Sequence, residues 1–235
     1  MTGRAIALAF FDPKRDLQGT VRAGGALLFE RGRATSPPGE VDVQPAGEGC
    51  RAVIEGSLEL LFSPLSPPLE LGGARAQLCT VAGVVKGVTL DCLGTLVETT
   101  AAPVWAELDA LRSLSGIWDP GTALLASVQR PRGARGHGDE LATAWLIDDG
   151  VPVLVEETRV STIYDASGRQ RSAGLELWLP EEDLPRRASG RALGGTSLEL
   201  ESGLLVNVAA FEWRMEGREG QGLYELTLHD EPAAA

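Results

Sequence analysis

Apolar and polar residues alternate with period two along most of the chain, a pattern that predicts short strands rather than helices. In residues 54–62 the even positions Ile54, Gly56, Leu58, Leu60 and Phe62 form an oily row, with Glu55, Ser57 and Glu59 between them. One apolar face and one mostly polar face suit a half-buried antiparallel strand. The pattern returns at Ala173, Leu175, Leu177 and Leu179, at Ala209, Phe211, Trp213 and Met215, and at Tyr224, Leu226 and Leu228. Further strands are predicted at residues 5–11, 26–31, 74–85, 88–99, 123–129, 140–147 and 151–164. Asp148-Asp149-Gly150 and the stretch 165–168 carry hairpin signals, since Gly tolerates positive φ. Residues 32–39 and 63–68 are broken by proline and read as loops.

One segment breaks the alternation. After Pro103, the residues Trp105, Leu108, Leu111 and Leu114 recur at three-residue steps, with Glu107, Asp109 and Arg112 between them and Gly116 beyond. Proline fits a first helical turn and glycine an end, so a helix of about three turns is predicted over residues 103–115. A dozen short strands and one helix near the midpoint predict an all-β chain of two tandem barrels or sandwiches. The expected division is 1–125 and 126–235. No repeat of fixed period is visible in the sequence.

Composition narrows the partners. With 235 residues, 43% of them hydrophobic, the chain can bury a sizeable core. Its net charge of −12, heavier in the second half, repels phosphate backbones and anionic lipid, so neither nucleic acid nor a membrane surface is an expected partner. No apolar run approaches the ~20 residues of a spanning helix. The opening MTGRAIALAFFDPKRD meets Asp12-Pro13 without a small-residue cleavage site, and a cytoplasmic location is expected. Cys50, Cys79 and Cys92 form no CxxC or Cys/His pair, so no metal, cofactor or disulfide is expected, only free buried thiols. Lys14 and Lys86 are the only lysines, a usage that points to a GC-rich, bacterial genome.

Chemistry concentrates in one stretch. Arg130-Pro-Arg-Gly-Ala-Arg-Gly-His-Gly-Asp-Glu140 gathers three arginines, a histidine and two carboxylates among glycines. Glycine lets backbone approach a ligand, arginine grips anions, and histidine beside aspartate can move protons. The plainer reading is a solvated loop. Neither a phosphate loop nor the dinucleotide-binding fingerprint occurs. Glu156 and Glu157 are adjacent on a predicted strand, so one of them would face inward. Asp91, alone in an apolar run, is expected to face outward, because an unpaired buried charge is costly. His229, near the end, is expected at the surface, and Trp105, Trp118, Trp145, Trp178 and Trp213 as core anchors.

Taken together, the Phe10-Phe11-Asp12-Pro13-Lys14-Arg15-Asp16 start, the β-rich halves and the Arg-Pro-Arg-Gly…Gly-Asp junction resemble the AttH and carotenoid-hydratase group. That resemblance implies two lipocalin-like β domains in tandem and chemistry on isoprenoids or polyenes. The group's Asp-His/Arg-Ser-Trp run has counterparts here in Asp139 and, at longer spacing, Trp145. Three functions follow as expectations. The first is binding of a small apolar ligand in a barrel mouth or between the domains, with Arg135 and Trp145 as ligand contacts. The second is a hydratase or cyclase using His137, Asp139, Glu140 and Glu157. The third is a non-catalytic interaction module using the acidic second half. Oligomeric state is not legible in the pattern.

Overall fold

The computed structural model describes residues 5–200 and 203–229, without the side chain of His137. Nineteen strands form two antiparallel sheets among these residues. The first sheet holds β1 (Ile6–Asp12), β2 (Leu17–Arg22), β3 (Gly25–Glu30), β4 (Arg33–Thr35), β5 (Asp42–Ala46), β6 (Gly49–Ile54), β7 (Leu58–Pro64), β8 (Leu69–Glu70), β9 (Ala74–Val85) and β10 (Val88–Thr99). The second holds β11 (Leu108–Asp119), β12 (Thr122–Pro131), β13 (Leu141–Asp148), β14 (Val151–Leu154), β15 (Glu157–Tyr164), β16 (Gln170–Trp178), β17 (Arg186–Leu200), β18 (Leu204–Met215) and β19 (Arg218–His229).

The two sheets repeat one topology. Their orders are β4-β3-β2-β1-β10-β9-β7-β6-β5 and β14-β13-β12-β11-β19-β18-β17-β16-β15, with β8 attached to β9 outside the series. In each, the first strand pairs with the last, and consecutive strands sit at the two free edges. In the second sheet the chain crosses from one edge to the other through Val155 and Glu156, whose N–H groups bond Ala144 on β13 and Trp178 on β16. Each sheet thus curls into a half-barrel.

Curling gives each sheet two buried faces and the molecule three cores. The concave face of the first sheet buries Leu8, Phe10, Leu28, Leu60 and Phe62. That of the second buries Leu124, Leu146, Leu177, Phe211, Trp213 and Tyr224. A third core lies between the sheets, where Ala9, Phe11, Leu27 and Leu78 meet Ile117, Leu125, Val208 and Leu223. Strict alternation explains the division, because successive side chains point to opposite faces. Phe10 faces the first half-barrel while Ala9 and Phe11 face the second sheet.

Bulky rings are seated on glycine. Phe10 lies opposite Gly19 and Gly94 on its two neighbours, and a Cβ on Gly19 would stand 2.5 Å from the ring. Trp213 lies opposite Gly190 and Gly220, and a Cβ on Gly190 would also stand 2.5 Å from its ring.

The structure corrects several expectations. The predicted helix over 103–115 is a single 3-10 turn, Trp105–Glu107, leading into β11. Leu108, Ala110, Arg112 and Leu114 alternate inward on that strand, and Leu111 points the other way; the three-residue spacing mixed two faces. Residues 54–62 are not one strand: Ile54 ends β6, a turn with Gly56 at φ +71° follows, and Leu58 opens β7. Residues 151–164 divide into β14 and β15 at the crossing of the sheet edges. Sheet one ends at Thr99 and sheet two begins at Leu108, so the expected division at 125/126 falls inside β12. No helix among the described residues is long and apolar enough to cross a membrane.

Candidate functional site

Between the sheets lies a cavity of about 430 Å3. Its first wall comes from β1, β2, β9 and β10, and its second from β11, β12 and β19. Residues 71–74 and the inter-sheet connection 101–104 flank it. Exposure marks the depth: Gly72, Ala101 and Glu107 are exposed, whereas Ala9, Leu125 and Leu223 are buried. The walls are apolar with inset hydroxyls. Thr20 and Thr95 both stand opposite Ala9 in register, and Ser113 stands opposite Ser127. Ser115 accepts the Leu223 N–H at 3.1 Å through its Oγ. Small residues at Ala7, Ala9, Ala76, Ser113 and Ser127 are what leave the sheets apart here, while larger ones meet in the adjoining core.

One ion pair stands in the cavity wall. Arg22, at the end of β2, donates through Nη2 to Oε1 of Glu225 on β19, joining the two sheets. Their side chains retain 32% and 19% of their exposure. Two further hydrogen bonds tie the β8 segment to the second sheet: Trp145 Nε1 donates to the Glu70 carbonyl at 2.9 Å, and Gln129 Nε2 to the Gly72 carbonyl at 2.7 Å. The sheets are thereby held in register around the cavity.

A second polar cluster lies inside the second half-barrel. Arg112 projects from β11 into the concave face and donates to Glu140 Oε2 at 2.8 Å; the two side chains are only 6% and 4% exposed. Arg130 approaches the other carboxylate oxygen at 3.6 Å. Beside them the Tyr224 hydroxyl meets Thr162 Oγ1 at 2.6 Å. Burial alone would lower the Arg112 pKa, but the neighbouring Tyr224 and Glu140 oxygens outweigh it and raise it. Burial likewise pushes the Tyr224 phenol above its ordinary range.

The residues singled out in the sequence are dispersed. His137 begins a one-turn 3-10 segment, His137–Asp139, and its side chain lies outside the described part. Asp139 is exposed and accepts the Arg135 N–H at 2.8 Å, closing the loop on itself. Arg135 is exposed too. Glu140 alone of the group turns into the half-barrel, where it is committed to Arg112. Glu157 lies on the surface, 54% exposed and 2.7 Å from Arg159. Trp145 is half-buried between the sheets, tying them together. Asp91 faces outward, as expected. His229 is half-buried and stacks on Trp105 with centroids 6.4 Å apart, so it is not the free surface group expected. Among the described residues no cluster of His, Cys, Asp and Glu could hold a metal ion. Cys50 and Cys79 are buried and Cys92 half-buried, all free. Burial pushes Cys79 up to about 12 and Cys92 up to about 11.

Arg22 and Glu225 were not legible as a site. They stand 203 residues apart, and each falls within an ordinary strand pattern. The only available sign was the small, polar character of Ser113, Ser115 and Ser127 at positions where β-branched or aromatic residues would be usual.

Solved structures share this architecture. A candidate AttH protein from Nitrosomonas europaea matches over 96% of this chain and 92% of its own, with a TM-score of 0.66 at 16% identity. The fold is that of the AttH-like two-barrel group. CghA matches over 99% of this chain and 90% of its own, with a TM-score of 0.63 at 12% identity. CghA solved with Sch210972 matches over 96% and 88%, with a TM-score of 0.60 at 12% identity. No protein-family model and no curated protein sequence matches the chain.

Proposed function

We propose that the protein binds a small, predominantly apolar molecule, isoprenoid- or polyene-like, in the cavity between its sheets. The observation that carries this reading is the cavity itself. Its volume of about 430 Å3 lies within the range of small-molecule sites, and its walls are apolar with a few convergent polar groups. The presence of Sch210972 in a CghA structure supports a ligand-binding role for the shared fold. The concave face of the first half-barrel is occupied by buried side chains, among them Phe10, Leu60 and Phe62.

A hydratase or cyclase would use the same cavity. In that case Glu225, which lines it beside Arg22, is better placed to handle protons than the exposed Asp139 and Glu157, while Arg22 stays protonated. Native mass spectrometry of protein purified from its own host tests the binding reading. The expected result is a retained small-molecule mass, released on denaturation. Protein that carries none, and that also fails to bind the neutral apolar dye Nile red, would overturn it.

A further inference from the structure

The cavity is apolar over most of its walls, yet one charged pair stands in it, and that pair restricts what the polar end of a ligand can be. We infer that the inter-sheet cavity selects an uncharged ligand whose polar group presents a hydrogen-bond acceptor beside a donor, as an amide or lactam edge does. This inference rests on the cavity being the binding site.

The argument starts from the free hydrogen-bonding capacity of the pair. Arg22 uses Nη2 on Glu225 Oε1, a single contact that leaves the remaining guanidinium N–H groups as donors and the second carboxylate oxygen, Oε2, as an acceptor. Both residues line the cavity and both side chains keep part of their exposure, so neither is sealed off by their contact. The pair therefore offers a ligand both donors, on Arg22, and an acceptor, on Glu225. An amide matches it in reverse, with its carbonyl accepting from Arg22 and its N–H donating to Glu225.

Charge decides against the alternatives. A carboxylate ligand that approached Arg22 would meet Glu225 at the same place, and like charges in a partly dehydrated cavity repel. An ammonium ligand would meet Arg22 in the same way. An ester or ketone could satisfy Arg22 but would leave Glu225 desolvated with no new donor, a penalty that falls on the bound state. The hydroxyls of Ser113 and Ser127 stand in the same cross-strand row as Glu225 and add neutral, not charged, partners. Hydrogen bonds to charged groups are roughly twice as strong as those between neutral ones, so the head group contributes affinity as well as orientation.

The test is displacement of Nile red from the full-length protein by four probes with one chain length: dodecanamide, methyl dodecanoate, dodecanoate and dodecylamine. Dodecanamide is expected to compete at least tenfold more tightly than each of the others. In Glu225→Gln, where Arg22 loses its counter-charge, the ranking is expected to turn toward dodecanoate. In Arg22→Leu/Glu225→Leu the amide-to-ester ratio is expected to fall to near one, and thermal melting checks that this variant folds. Equal competition by all four probes in the unaltered protein overturns the inference while leaving the cavity reading intact. Tightest competition by dodecanoate also overturns it, by showing an anion that displaces Glu225. If Nile red does not bind the unaltered protein at all, the cavity reading fails first and the inference with it.

Discussion

The two half-barrels share one strand order, yet they put their polar groups in different places. The concave face of the first is filled by aliphatic and aromatic side chains and two cysteines, with Phe10 seated on Gly19 and Gly94. The second buries Trp213 between glycines in the same manner but also admits Arg112, Glu140 and the Tyr224 hydroxyl. The same topology therefore supports an oily interior and a partly ionic one. What the halves hold in common is the face each turns to the other, where small and hydroxylated residues keep the sheets apart. The repetition makes this shared face central, because β1, β2 and β10 meet the equivalent strands β11, β12 and β19 there.

The ionic interior provides the largest expected effect. Removing one member of a buried ion pair strands the other charge, at a typical cost of about 3–5 kcal/mol, whereas replacing both with apolar groups is often nearly neutral. Glu140→Ala should therefore lower the urea-unfolding free energy by about 3–5 kcal/mol. Arg112→Met/Glu140→Leu should recover most of that loss. If the double variant is no more stable than the single one, the cluster is more than an ion pair within a core, and the contrast between the half-barrels is drawn in the wrong place.

A smaller effect probes the feature that the halves share. A methyl on Gly19 meets Phe10 Cε1 at 2.5 Å and the Leu27 carbonyl oxygen at 2.9 Å, and on Gly190 it meets the Trp213 ring at 2.5 Å. Overpacking of this kind costs about 1–3 kcal/mol, so Gly19→Ala and Gly190→Ala should each lose that much in chemical unfolding. A neutral result at one site and not the other would show that the two rings are not equivalently seated.

How far these features could be read in advance varied with the element. Residues 74–85 and 88–99 were legible because each is a long strand whose flanking turns carry clear signals. β17 was not, since Arg-Arg-Ala-Ser-Gly-Arg-Ala-Leu-Gly-Gly has no oily row. Its glycines serve a close approach instead: a Cβ on Gly194 would stand 2.4 Å from the Gly32 carbonyl oxygen, where the first sheet's β3–β4 turn presses against it. The false helix arose because Leu108 and Leu114 share a face with the buried Arg112, an inward charge that a hydrophobic pattern scores as outward. Glu140 was picked out by its neighbours in sequence, yet its partner is Arg112, 28 residues away. The Arg22–Glu225 pair lay beyond any local signal, because only the apposition of the two sheets brings it together.

The thiols divide along the same line, with all three in the first sheet. At pH 8 the burial that raises Cys79 and Cys92 should leave both slow toward a disulfide reagent, with fast labelling only after unfolding. The folded chain holds those thiol protons above the ordinary value of 9.0, while the unfolded chain releases them. Stability is thus fully present below about pH 9 and declines as pH rises toward 11 to 12. Urea midpoints that stay level between pH 9 and pH 11 would contradict this burial. The smallest effects belong to the exposed acids: Asp139→Ala and Glu157→Gln should each change stability by no more than about 0.5 kcal/mol.

The central claim is that the space between the sheets is the binding site, and one substitution addresses it directly. Ser113 is exposed on β11 and lines the cavity, so an indole placed there fills empty volume instead of displacing a core residue. Nile red fluorescence titration should show at least tenfold weaker binding (~1.4 kcal/mol) for Ser113→Trp, with the thermal midpoint within a few degrees of the unaltered protein. Undiminished dye affinity in a folded Ser113→Trp variant would contradict the account and place the ligand elsewhere.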